Sequence, residues 1–161
     1  MYCIDGCCNF TICPVKKYKT IPSKTKQHRK GGVVIFNSLK DKILLVQSRG
    51  KMWGFAKGSL EIGETIQECA IRELKEETGI ILTINDILNK KKISVNKSLY
   101  FMYDTLEENG TVQDEDPFND VNGIGWIKME CLQKLYKNTD MKLNYQCRFI
   151  LTRFFKQQYY L

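Results

Sequence analysis

The chain has 161 residues, long enough for one domain with a sizeable buried core, and its 43% apolar and 27% charged content is that of an ordinary globular protein. No apolar run approaches the ~20 residues needed to span a bilayer, and Met1 to Val15 lacks the basic start and long apolar core of a signal peptide, so an intracellular protein with no membrane partner is expected. Net charge is +7, from 25 Lys and Arg against 18 Asp and Glu, which favours a partner rich in phosphates.

Residues 1–30 read as an appendage to a domain spanning 31–161. Cys3, Cys7, Cys8 and Cys13 fall close together, and His28 is the only histidine. Two readings stand side by side: a small Zn²⁺ site using three of those cysteines plus another thiolate or His28, or a set of reduced thiols on an arm. The spacing Cys3-x3-Cys7-Cys8-x4-Cys13 is not a standard pair of zinc knuckles. Lys16, Lys17, Lys19, Lys24, Lys26, Arg29 and Lys30 follow, with Pro14 and Pro22 discouraging helix. This basic run is either an electrostatic tether for nucleic acid or a solvated leader.

Regular structure is expected from Gly31. Val33-Val34-Ile35-Phe36 reads as a buried strand, Asn37 to Lys42 as a turn, and Ile43 to Ser48 as the hairpin partner. The approach Trp53-Gly54-Phe55-Ala56-Lys57-Gly58 sets two aromatics around a glycine. Next to a phosphate site such rings can stack on a base; the alternative is core packing.

From Gly58 to Ile80 the signals are dense. Thr65 with Glu68 three residues on is a capping-box signature, Gly79 is placed to stop a helix in the left-handed conformation, and Ile66, Ala70 and Leu74 mark its buried side. Glu73, Glu76 and Glu77 stand at i, i+3 and i+4 and share one face. Glu73 and Glu77 also continue the azimuth of Ile66 and Ala70, seven residues earlier, so they aim inward where an acidic run normally faces solvent. Three carboxylates held together repel unless a proton or cation sits among them. An oxygen-only donor set suits Mg²⁺ or Mn²⁺, whose shell is completed by water and substrate phosphate.

Gly58, five residues, Glu64, seven residues, then Arg72-Glu73-Leu74-Lys75-Glu76-Glu77-Thr78-Gly79-Ile80 matches the Nudix box at each defined position, over 23 residues. The chain therefore resembles the Nudix hydrolases, which cleave a pyrophosphate linkage in a nucleoside diphosphate joined to another group. The resemblance implies that Glu73, Glu76 and Glu77 ligate the metal, that Gly58 contributes its backbone carbonyl, and that Glu64 and Arg72 form a supporting ion pair. Trp53 to Gly58 and Cys69-Ala-Ile-Arg-Glu73 look most like the mRNA-decapping branch, which usually has proline at the position of Ala56. The Lys57-Gly58 approach also resembles diadenosine-polyphosphate and diphosphoinositol-polyphosphate hydrolases. Trp53, Phe55 and Lys57 are the candidate substrate contacts, and an RNA cap is the leading substrate. A nucleotide- or RNA-binding module that keeps the fold without turnover is the alternative from another class, and the complete set of box acids favours activity.

Beyond the box, Ile80 to Ile84 is expected as a short strand and Leu99 to Tyr103 as a central one. Residues 104–122 form a long loop, of the kind that tends to be functional. Asn119-Asp120-Val121 stands where related enzymes often carry Asn-Glu-Ile, whose acid helps bind metal or takes the proton from water; Asp120 is a shorter acid for that role. Leu132 to Tyr136 reads as a brief helix. Asn144 to Tyr159 reads as an amphipathic helix, its basic side (Arg148, Arg153, Lys156) being a secondary candidate for RNA contact. The expected fold is an α/β/α sandwich, a mixed twisted sheet with the box helix on one face and the C-terminal helix on the other.

Overall fold

The computed structural model describes residues 3, 5–15, 29–106, 108–113 and 118–157; His28 and the lysines from Lys16 to Lys26 lie outside the described residues. One mixed sheet carries the fold. Its path runs β1 (Asn9–Ile12), β8 (Val121–Lys128), β3 (Lys42–Ser48), β2 (Lys30–Asn37), β7 (Ser98–Thr105), β6 (Lys92–Val95), with β4 (Met52–Gly54) on β3 and β5 (Lys57–Ser59) on β2. All neighbours are antiparallel except β2 and β7, which run parallel along the whole of β2.

The expected turn between Phe36 and Ile43 is present, but these two residues are the only register pair between β2 and β3. The strands then splay, β3 following β8 from Lys42 to Ser48 while β2 follows β7. Into the opening comes the chain before the box: β4 lies along the end of β3, and β5 along the start of β2 with Gly31 opposite Gly58. The splay thus puts the box loop directly against the first residues of β2.

Successive residues of the central strands serve two separate cores, as the period-2 alternation of a sheet buried on both faces requires. Val34, Ile43, Leu45, Tyr100 and Ile127 face one side, where they meet Leu132 of α3 (Met129–Asn138) and Cys147, Ile150, Leu151 and Phe155 of α4 (Tyr145–Gln157). Val33, Ile35, Leu44, Val46, Phe101 and Trp126 face the other, against Ala70 and Leu74 of α1 (Ile66–Thr78) and Ile87 of α2 (Ile84–Leu88). This is the expected α/β/α sandwich.

The largest differences from expectation lie at β1 and after α1. Regular structure begins before Gly31: β1 pairs with β8 from Asn9 opposite Trp126 to Ile12 opposite Gly123. Its residues are exposed apart from the half-buried Phe10, which meets the Trp53 ring edge-on at 5.6 Å, so it lacks the apolar alternation that marks a strand in sequence. The expected strand over Ile80–Ile84 is absent. The Asp86 carboxylate accepts hydrogen bonds from the backbone N–H and hydroxyl of Thr83, both at 2.7 Å, and starts α2 there; Ile80 and Leu82 pack on the α1-side core while Ile81 is exposed.

Candidate active site

Helix α1 is fixed at both ends by the signals read in sequence. Thr65 is its N-cap, with reciprocal hydrogen bonds between Thr65 and Glu68, and Gly79 at φ 72° closes it with its N–H on the Lys75 carbonyl. Ala70 and Leu74 are buried and Ile66 packs beside them, which orients the helix so that Glu73 and Glu77 turn inward while Glu76 stays more exposed.

The approach of α1 to the sheet is close enough to exclude a Cβ at two positions. A methyl at Gly31 would lie 2.7 Å from the Ile66 carbonyl and 2.9 Å from the Ala70 nitrogen; one at Gly58 would lie 1.9 Å from the Glu73 carboxyl carbon. Because Gly31 and Gly58 are register partners, the two bare backbones form one contact, with Glu73 laid over it. Sequence reasoning identified Gly58 and missed Gly31, although the Gly31-Gly32 pair at the start of an apolar run signals a close backbone approach.

Arg72 organises the carboxylates. Its Nε and Nη2 hold the Glu64 carboxylate at 2.8 and 3.0 Å in a two-pronged pair, its Nη1 reaches Glu73 at 2.8 Å and Glu76 at 3.1 Å, and Nη2 also donates to the Ser59 carbonyl at 3.1 Å. Glu64 and Arg72 therefore tie the box loop to the helix. The Arg72 hydrogen bonds hold the Glu64 carboxyl below the usual carboxylate range. Burial pushes the Glu73 carboxyl up against the pull of Arg72, and the negative charges of Glu76 and Glu64 add to the rise. Glu77 accepts the Lys57 N–H at 3.1 Å; burial pushes its carboxyl up to about 8, against the Lys57 charge, with Glu73 and Asp120 adding to the rise.

Two inward carboxyl groups whose ionisation is opposed, beside a third and with oxygen donors alone, have the chemistry of a hard-cation site. A guanidinium already bridges Glu73 and Glu76, which shows where positive charge is favoured. By donor type, Glu73, Glu76, Glu77 and the Gly58 carbonyl are the oxygens that could hold Mg²⁺ or Mn²⁺. Cations also border the acids. Lys57 acts on Glu77, and Lys30, half-buried at the start of β2, has its ammonium lowered first by burial and then by Lys57, while Glu73 and Glu77 draw it back up. Lys30 appeared in sequence only as part of a basic run; its register pairing with Ser59 brings it beside the box.

Asn119 is buried, donates to the Glu76 carbonyl at 2.9 Å and accepts the Val121 N–H at 3.0 Å, so it pins the start of β8 to the end of α1. Asp120 is thereby placed near enough to act on Glu77, and its carboxylate accepts from Arg49 Nε at 2.8 Å. The stacking role expected of Trp53 and Phe55 is overturned. Both are buried, at 0% and 2% exposure, in the core beneath α4, and Phe55 meets the Tyr100 ring edge-on at 6.0 Å. Two aromatics at i and i+2 on an extended segment share one face, here the inward one.

The cysteines also regroup. The Sγ atoms of Cys3, Cys7 and Cys8 lie with that of Cys131, all four within 4.8 Å of one another. Cys13 does not join them: β1 separates it from Cys8, and its backbone pairs with Asn122 at the other end of the strand.

The family described as NUDIX domain matches residues 26–146. Protein 111R of Invertebrate iridescent virus 3 is 34% identical over 137 residues, covering 81% of this chain and 78% of its own. The mRNA-decapping protein g5R of African swine fever virus is 29% identical over 143 residues, 78% of this chain but only 58% of that protein. The m7GpppN-mRNA hydrolase of Saccharomyces cerevisiae is 45% identical over 53 residues, 32% of this chain and 6% of that protein. Among solved structures, a Caenorhabditis elegans Ap4A hydrolase superposes with a TM-score of 0.55 at 18% identity, covering 83% of this chain and all of its own, a likeness of fold.

Proposed function

This chain belongs to the Nudix family and is a pyrophosphohydrolase of that family; we propose that the bond it cleaves is a phosphoanhydride in the 5′ cap of RNA. The observation that carries the cap reading is that likeness to a named decapping protein extends over 78% of the chain, well beyond the 23-residue box. The +7 charge supports it, since an RNA body offers many more phosphates than a free nucleotide.

In this reading Glu73, Glu76, Glu77 and the Gly58 carbonyl hold the divalent ion, and Arg72 and Glu64 keep the loop against the helix. Mg²⁺ or Mn²⁺, when bound, would supply charge neutralisation at phosphate and acidify water. Lys30 and Lys57 hold the polyphosphate beside the acids, where preorganised charge lowers the barrier. A box glutamate accepts the proton of the attacking water. The Asp120 carboxylate is committed to Arg49 at 2.8 Å, so we assign Asp120 to positioning that side chain.

The test compares kcat/KM for capped RNA, free cap dinucleotide and a dinucleoside polyphosphate, each at low and high salt with Mg²⁺. Capped RNA is expected to be the best substrate, with an advantage that shrinks as salt rises, because its binding releases more counterions. Equal salt slopes, or a small nucleotide ahead at every salt concentration, would overturn the cap assignment and point to a small-nucleotide hydrolase.

A further inference from the structure

Four of the seven cysteines converge at a place the hydrolase chemistry does not use. Cys7 Sγ lies 3.5 Å from Cys3, 3.9 Å from Cys8 and 3.3 Å from Cys131. Cys131 is 123 positions beyond Cys8 in number and stands in the first turn of α3, so no local spacing links the set; the sheet does. Asn9 opposite Trp126 sets the register of β1 on β8 and carries Cys8 to the end of β8, where α3 begins. There the Lys128 N–H points at the Cys8 sulfur, 3.3 Å away.

We propose that Cys3, Cys7, Cys8 and Cys131 form a tetrathiolate zinc site that fastens the N-terminal segment to α3. With Zn–S bonds of about 2.3 Å, the sulfurs of a tetrahedral site stand ~3.8 Å apart. The separations seen, 3.3 to 3.9 Å with none beyond 4.8 Å, match that tetrahedron and are far from the ~2.05 Å of a disulfide. All four cysteines are free. Apolar burial does not by itself account for the gathering: Cys3 is buried and Cys8 packs against the core beneath α4, but Cys7 and Cys131 are only partly buried and belong to neither core cluster. Binding replaces four S–H protons, released to solvent, with four Zn–S bonds, and the metal goes from Zn²⁺ in water to a site of net charge −2. The Lys128 N–H on Cys8 is the outer hydrogen bond that such a thiolate needs.

Four protein ligands leave no open position, so the zinc is structural. It also lies away from the carboxylates: Asp120 immediately precedes β8 and Cys131 follows its end, a separation along the strand of roughly 25 Å. What the site holds is β1, a four-residue edge strand with little buried surface of its own. Cys13, at the other end of that strand, is excluded from the ligand set.

The full chain, purified without chelator, is expected to carry one zinc by elemental analysis. Its Co²⁺-substituted form should show the strong visible bands and sulfur-to-cobalt charge transfer of four thiolates. Cys131→Ser should lose stoichiometric zinc, while Cys13→Ser should keep it. If Cys131→Ser fails to fold, the cobalt spectrum of the wild-type chain still decides between four sulfurs and a mixed sulfur–nitrogen set that would bring in His28. Seven free thiols with no zinc, a disulfide within the four, a mixed-donor spectrum, or zinc that survives Cys131→Ser and is lost in Cys13→Ser would each overturn the proposal.

Discussion

Gly58→Ala tests whether the carboxylate arrangement depends on one bare backbone position. The added Cβ would sit 1.9 Å from both Cδ and Oε1 of Glu73 and 2.1 Å from Oε2. Carbon–carbon contact needs about 3.5 Å, so the carboxyl must retreat by roughly 1.5 Å and lose its 2.8 Å bond to Arg72. A misplacement of about 1 Å at a reacting centre can cost ~10²-fold, so turnover should fall ~10²- to 10³-fold, about 3–4 kcal/mol of barrier. The obstructing atoms are the end of a flexible side chain, so the folding cost should stay near ~1 kcal/mol and Tm should drop by only ~3 °C. The assay is kcat at saturating Mg²⁺ on the best substrate, paired with thermal unfolding, for Gly58→Ala, Glu73→Ala and the double variant. If the glycine acts through Glu73, adding Gly58→Ala to Glu73→Ala costs little more. A single variant within threefold of wild type, or losses that simply add, would refute the reasoning.

Three further outcomes are expected. Glu76→Gln and Glu77→Gln should each abolish turnover in a folded protein by removing a metal-ligand charge with little change of volume, whereas Asp120→Asn should stay within about tenfold of wild type; near-normal rates for either glutamine variant at saturating Mg²⁺ would show the ligand assignment to be wrong. Gly31→Ala should act on stability first, by ~2–3 kcal/mol in urea unfolding, because the atoms it meets at 2.7 and 2.9 Å are backbone of α1 and cannot step aside; a melting temperature unchanged from wild type would count against the packing argument. Since Arg72 depresses the Glu64 carboxyl in the folded state, that pair's contribution is complete above the ordinary value of 4.5 and is lost as pH falls through the lower folded value. Unfolding free energies measured from pH 6 to pH 3 should therefore fall more steeply for wild type than for Glu64→Gln, and parallel curves would remove the pair from the acid response.

The parts of this protein that could be read from its sequence are those whose causes are local. Thr65 and Glu68 cap each other, Gly79 closes the same helix, and Glu73 and Glu77 inherit their direction from Ile66 and Ala70 two turns earlier, so the helix and its acids follow from residues within one stretch. The misreadings came where a distant segment decides. Trp53 and Phe55 lie beside a glycine next to the site, yet their shared face is settled by α4 and β7, which bury both rings. β1 shows no apolar alternation because its place depends on hydrogen bonding to β8, more than a hundred residues on, and the same pairing brings Cys131 to Cys7. Ile80 to Leu82 has the composition of a strand, but Asp86 caps Thr83 and starts a helix before one can form.

The site itself stands between these cases. The box supplies Glu73 and Gly58 locally, but what lets Glu73 settle inward is a second glycine, Gly31, whose strand is drawn there by its pairing with β5 on one side and β7 on the other. A Cβ at either glycine would move the helix or the carboxyl. The acids are therefore placed by a helix pressed onto two unadorned strands, and Lys30 next to Gly31 comes beside them through that same register. One contact sets the spacing of the negative charges and brings the positive ones to their edge, which is the arrangement the proposed polyphosphate substrate and divalent cation would require together.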